Sequence, residues 1–212
     1  QQADDNVSTN AKSKIVRMAL SVGAEGDWQG IIDTLSCIAE SIVPVYSGVG
    51  SGPESWSSSA VSSNPAALFL WLLRGAANSS PVEDAKIDWG KIEEWYTWCA
   101  GKGYECNGVI TSAMTLLEAL RVVATTGRAS PLMVDGKYSV VIDKEQDEIV
   151  QQFTQRNVSG FKAVRAFRDV PHAIKCDFVN AAIGYQVDQR IVYRDGYSLA
   201  NATKFETINF KF

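Results

Sequence analysis

Histidine is almost missing from this sequence: His172 is the only one in 212 residues. That scarcity removes most nucleophile–base arrangements, because His172 alone would have to serve as general base, and it stands beside Pro171 at the start of a strand pattern with nothing to aim it at a serine or cysteine. A structural or surface role is therefore expected for it. Cysteine is sparse as well. Cys37, Cys99, Cys106 and Cys176 are widely spread, with no close pair to announce a zinc site, so no metal ligands are assigned and free thiols are expected. Excess positive charge is absent too: 20 basic against 24 acidic residues give a net charge of −4, which argues against a clamp on nucleic acid. Long apolar runs are lacking. The stretch from Ala66 to Leu73 is far shorter than the ~20 residues of a spanning helix, so no transmembrane segment is expected.

Nucleotide motifs are missing in the same way. Gly48, Gly50 and Gly52 make no dinucleotide fingerprint, and no Gly-Lys-Ser/Thr follows them to form a phosphate loop; no cofactor is implied. Paired acids do occur, at Glu93-Glu94 and through DKEQDE at 143–148. They read as solvated charge on a helix face and after a hairpin rather than as catalytic carboxylates.

What is present is an ordinary globular composition, 46% hydrophobic and 21% charged, with six tryptophans. Residues 1–10 are polar, and strands are expected over Lys14 to Val22 and Thr34 to Tyr46. Residues 47–63 (SGVGSGPESWSSSAVSS) read as a flexible loop in which only Trp56 and Val61 could dock. Trp56 could anchor this loop or make contact with a partner or a sugar, whereas Trp71, Trp95 and Trp98 fall in helical patterns and read as packing residues.

Helix signals begin at Asn64-Pro65, an N-cap followed by proline at the first helical position, and end at Gly75. The intervening LFLWLL leaves hardly any polar side, so this helix must be covered nearly all round. A second helix starts at Asp88, with Ile92, Trp95, Tyr96 and Cys99 on one stripe, Lys91, Glu93, Glu94 and Thr97 on the other side, and Gly101 and Gly103 at its end. A short strand is expected over Tyr104 to Ile110. Ser112 then caps a third helix with Ala113, Leu116, Leu120 and Val123 on one face. SPLMVDGKYSVVID predicts a hairpin with Asp135-Gly136 in a type I′ turn, Met133 opposite Tyr138 and Pro131 opposite Val140. Further strands are expected at Phe161 to Phe167, around Ile174, Cys176 and Phe178, at Arg190 to Tyr193 before an Asp195-Gly196 turn, and through Ile208, Phe210 and Phe212.

The layout predicts an α+β fold: antiparallel sheets with a three-helix plus β-hairpin insertion. Residues 1–48 and 148–212 would make one discontinuous β-rich domain, 60–147 the insertion with its hairpin at 129–143, and 47–63 the Ser/Gly loop.

Taken in order, seven stretches carry a resemblance: LSCIAESIVPVYSG (35–48), SSNPAALFLWLLRG (62–75), IDWGKIEEWYTWC (87–99), YECNGVI (104–110), DGKYSVVIDK (135–144), PHAIKCDFVN (171–180) and RIVYRDGYSLANATKFETI (190–208). In order and spacing they resemble the central tail-tip, or host-specificity, proteins of long non-contractile-tailed phages, the lambda protein J-like family. The first thirty residues match nothing in it. The resemblance implies β-rich hub domains at the distal tail tip of a virion or prophage-encoded tail. It implies a homotrimer in the full-length protein, contacts with other tail-tip and tail-tube proteins, and a structural, non-enzymatic role in tail assembly, host attachment and DNA ejection. Family members are much longer, so an internal fragment is expected, in keeping with a chain that starts at Gln1 without methionine and stops just after a strand pattern. The rivals from other classes are a carbohydrate-binding adhesion module and a cell-wall hydrolase.

Overall fold

The computed structural model describes residues 38–75, 78–147, 149, 151–164 and 169–209. The expected strand at Lys14 to Val22, residues 34–37 of the next one, residues 165–167 and the end of the last strand at Phe210 and Phe212 lie outside them. Among the described residues the fold is mixed α and β, with three α-helices and three small sheets. The described residues fall into two units, 38–106 with 112–144, and 107–111 with 145–209.

In the first unit, strand β1 (Ile42–Pro44) pairs antiparallel with β2 (Ser59–Val61), Val43 facing Ala60. The residues between them fold back onto this unit at one turn. Pro53–Trp56 form a 3-10 turn whose Trp56 is only 3% exposed, while Val61, the other residue expected to dock, stays exposed. Glycine makes the approach possible: Gly50 and Gly52 have φ of 81° and 118°, values open to few other residues.

Helix α1 (Pro65–Arg74) starts as its sequence prescribes. Asn64 Oδ1 accepts from the Ala66 amide at 3.0 Å and Asn64 Nδ2 donates to the Tyr96 carbonyl at 3.1 Å, so the cap also ties α1 to the next helix. Phe69, Leu70 and Leu73 are fully buried and Leu68, Trp71 and Leu72 half-buried, the near-complete cover that the apolar run demanded. α2 (Trp89–Lys102) is capped by Asp88, which accepts from the Lys91 amide, and ends at Gly103 in the left-handed conformation; Gly101 lies inside the helix. Ile92, Trp95 and Cys99 are buried, with Tyr96 half-buried beside them.

Two expectations fail between α2 and the hairpin. Tyr104 to Ile110 form no strand. The third helix, α3 (Leu116–Thr126), begins four residues later than Ser112, because Thr115 and Glu118 build a reciprocal capping box that Ser112 has no partner to make. Ala113 accordingly lies outside it, and the buried stripe is Ala119, Leu120, Val123 and Ala124.

Strands β3 (Ala129–Val134) and β4 (Lys137–Ile142) form the hairpin in the expected register, with Met133 facing Tyr138 and Pro131 facing Val140. Asp135 and Gly136 both have positive φ, 50° and 76°, as the turn requires. A bridge between Ile87 and Tyr138 and a 2.7 Å bond from Ser139 Oγ to Asp88 Oδ2 fasten β4 to the start of α2.

The second unit is a three-stranded sheet in the order β6-β5-β7, from β5 (Ala173–Asn180), β6 (Gln186–Tyr193) and β7 (Phe205–Asn209). β5 and β6 are antiparallel, as expected. β7 is parallel to β5, contrary to the all-antiparallel expectation, because residues 194–204 carry the chain past β5 to its far edge, where the His172 and Ala173 amides both donate to the Lys204 carbonyl. The Asp195-Gly196 turn forms where it was expected, and 161–164 form no strand. The grouping of 1–48 with 148–212 also needs correction: β1 belongs to the first unit, since Val43 is fully buried in the core that holds Phe69, Leu70 and Trp95.

Candidate functional site

The first unit's core is closed around Trp95. Its indole Nε1 donates to the Gly127 carbonyl at 2.9 Å and its ring meets Phe69 edge-on at 5.5 Å between centroids. A Cβ on Gly127 would sit 2.7 Å from Trp95 Cζ2, so the end of α3 has to be glycine for α2 to come this close. Trp56 lies in an aromatic group with Tyr46 and Tyr96, at 5.6 and 5.2 Å. The sequence offered Trp56 either as an anchor for its loop or as a contact for a partner or a sugar, and the packing bears out the anchor. Packed in this way it has no free face to offer a partner or a sugar, because the serine-rich loop that carries it folds inward.

Glu93 is a correction. Assigned to the wet side of α2, it is 7% exposed and its Oε1 accepts from the Gly52 amide at 2.9 Å, so it holds the 47–63 loop onto the helix. No helical periodicity signals this; the only hint is a glycine-rich loop, whose exposed amides need an acceptor. Glu94 differs from its neighbour. It accepts from Lys144 Nζ at 2.6 Å and Lys91 Nζ at 2.7 Å, and those two bonds, Lys144's first, hold its carboxyl below the usual range. A carboxylate kept ionised in this way is unsuited to act as a general acid.

Because Glu94 is depressed in the folded chain, its contribution to stability is present above the unfolded carboxyl value of about 4.3 and is lost as pH falls through the lower folded value. Lys144→Met should therefore raise the Glu94 pKa toward the ordinary value, read by NMR titration of the side-chain carboxyl, and Lys91→Met should do so to a smaller degree. An unmoved titration in Lys144→Met would refute the assignment.

Tyr46, Glu93, Glu94, Trp98 and Lys144, with Gly90 and Thr97, line a shallow open concavity of about 540 Å³. Aromatic side chains and fixed carboxylates meet there, and no local pattern announces it, since its walls come from the segment after β1, from α2 and from Lys144 just past the hairpin.

In the second unit His172 is held by its surroundings. Its ring stacks on Tyr197 at 4.1 Å, its Nδ1 accepts from the Thr203 amide at 3.2 Å, and its backbone bonds Lys204 and Arg194. It braces the crossing to β7. Of the thiols, Cys99 is buried, and burial pushes its pKa up to about 12, so it is inert near neutrality; Cys106 is raised for the same reason. Cys176 is half-buried on β5, and Cys37 lies outside the described residues. Among the described residues no three His, Cys, Asp or Glu side chains gather as metal ligands, and no helix is long and apolar enough to cross a membrane.

No protein-family model matches this chain, and no curated protein matches it.

The two units differ most in what they bury. Apart from Ala173, every buried apolar residue described belongs to the first unit. The second leaves Val179, Val187, Val192, Phe205 and Ile208 open on its sheet, and Phe153 and Phe161, 72% and 82% exposed, on the segment before it.

Proposed function

We propose that this chain is a structural fragment of a phage or prophage tail tip, a hub piece that works by packing against neighbours in the assembled tail and carries out no catalysis. The observation that carries the structural reading is the second unit's open apolar surface. A sheet with one buried residue cannot repay the entropy of its own ordering and needs cover from outside itself. The placement in a tail tip rests on the collinear order and spacing of the seven stretches from LSCIAESIVPVYSG to RIVYRDGYSLANATKFETI. A homotrimer of the full-length protein at the distal end of the virion tail, meeting other tail-tip and tail-tube proteins and supporting attachment and DNA ejection, is part of the same proposal. Electron cryomicroscopy of tails carrying the parent protein should place this fold around the tail axis at the tip, in three copies. Density for it away from that axis would end the reading.

A second reading, a carbohydrate-binding adhesion module, draws on the concavity at Tyr46 and Trp98 rather than on Trp56. Titration with host-surface glycans should then quench tryptophan fluorescence saturably, and Trp98→Ala should abolish the change. A flat titration removes it. The hydrolase reading has less to stand on: Glu93 is occupied by Gly52 and Glu94 by two lysines. Peptidoglycan that clears in a turbidity assay would revive it.

A further inference from the structure

We propose that β6 forms a two-fold contact between copies of this chain, the β6 edges of two copies pairing antiparallel about Gln189. The proposal is independent of the tail-tip reading. β6 bonds β5 along one edge, and no strand among the described residues covers the other. The Arg194 amide donates to the His172 carbonyl at 3.0 Å. In an antiparallel ladder this turns the backbone groups of even-numbered β6 residues toward β5 and those of Val187, Gln189 and Ile191 outward. Such an edge is a template for another strand.

The order of side chains selects a second copy as the occupant. With the axis at Gln189, outward residues meet outward residues: Val187 faces the partner's Ile191, Gln189 faces its own counterpart, and Ile191 faces the partner's Val187. Asp188 then falls opposite the partner's Arg190, and Arg190 opposite the partner's Asp188, at the positions where an antiparallel pair brings side chains closest. Sliding the register to either neighbouring alternative sets Asp188 against Asp188 or Arg190 against Arg190, so like charges penalise both.

Both charges are free for this use. Arg190 makes no ion pair among the described residues. Among the described residues the Asp188 carboxylate meets only neutral donors, Asn180 Nδ2 and the Gln189 amide, each at 2.8 Å. That second bond ties an outward edge amide to the side chain before it, a local substitute for a strand partner. Pairing would release the amide to the partner's Gln189 carbonyl and the carboxylate to the partner's Arg190. Val187, 75% exposed in the single chain, would be covered at the same time.

The test is sedimentation of the whole chain over a concentration series. The unaltered chain should form a dimer of twice its 23.1 kDa mass. Asp188→Arg and Arg190→Asp should each weaken self-association by about tenfold or more, because each replaces two attractive pairs by two repulsive ones. Mixed together, the two variants should dimerise again, since one then carries two positive and the other two negative residues at facing positions; recovery in the mixture also shows that both are folded. A chain monomeric at every concentration, a trimer in place of a dimer, or single variants that dimerise like the parent would overturn the proposal, and of these only the trimer touches the tail-tip reading, whose homotrimer it would support.

Discussion

Trp95→Ala should cost the first unit about 3–5 kcal/mol and lower its melting temperature by roughly 15 °C or more. The side chain is fully buried, fills the space between α1, α2 and α3, and ends in a hydrogen bond to the Gly127 carbonyl. Removing it takes away the largest fully buried side chain of the core, leaves a cavity beside the edge-on Phe69, and strips the indole donor from Gly127. A domain of this size holds only some 5–15 kcal/mol in reserve, so the loss takes a large share of it. Trp95→Phe should lie between the two, keeping most of the apolar contact and losing the N–H. Calorimetry decides: a fall of less than about 5 °C for the alanine variant would mean that Trp95 is not the centre of the packing.

Trp95 was legible from its place on the Ile92, Trp95, Tyr96, Cys99 stripe, and so were the features that local chemistry fixes within a few residues. Asn64-Pro65 opens a helix because side-chain acceptor and ring constraint act on adjacent amides. Asp135-Gly136 sets the hairpin register because only a few residue types accept two positive φ values in succession. Where a nearby rival or a distant segment competes for the same groups, the reading failed. Ser112 looked like a cap until Thr115 found Glu118 one turn on, and Glu93 looked solvated until the Gly52 amide, 41 residues away, claimed it. For Trp56 the sequence left two roles open, loop anchor or partner contact, and the small residues around it let the loop lie close enough to bury it among Tyr46 and Tyr96 as the anchor. The parallel β7 escaped for a related reason: alternation reveals a strand and its wet face but says nothing about which edge it joins. The concavity, whose walls are distant in sequence, left no local trace.

Hydrogen exchange on the isolated chain should divide along the same line as burial. Amides of β4, α2 and the first unit's core should be protected about two orders of magnitude more strongly than those of β5, β6 and β7. Opening the first unit exposes Phe69, Leu70, Leu73, Ile92, Trp95 and Leu120 together, so its amides are released only by near-global unfolding. Opening the three-stranded sheet exposes half-buried side chains such as Ile174 and Phe178 but little that is fully buried, since Ala173 is its one buried apolar residue among those described and β6 and β7 are both edges. Its amides are therefore held by ladder hydrogen bonds with little apolar burial behind them, the condition under which local opening is easiest. In the assembled tail the proposed function supplies the missing cover, and protection of the sheet should rise toward that of the first unit. Equal protection of both units in the isolated chain would mean that the sheet is stable without neighbours, and the argument from its open surface to a structural role in an assembly would fall with it.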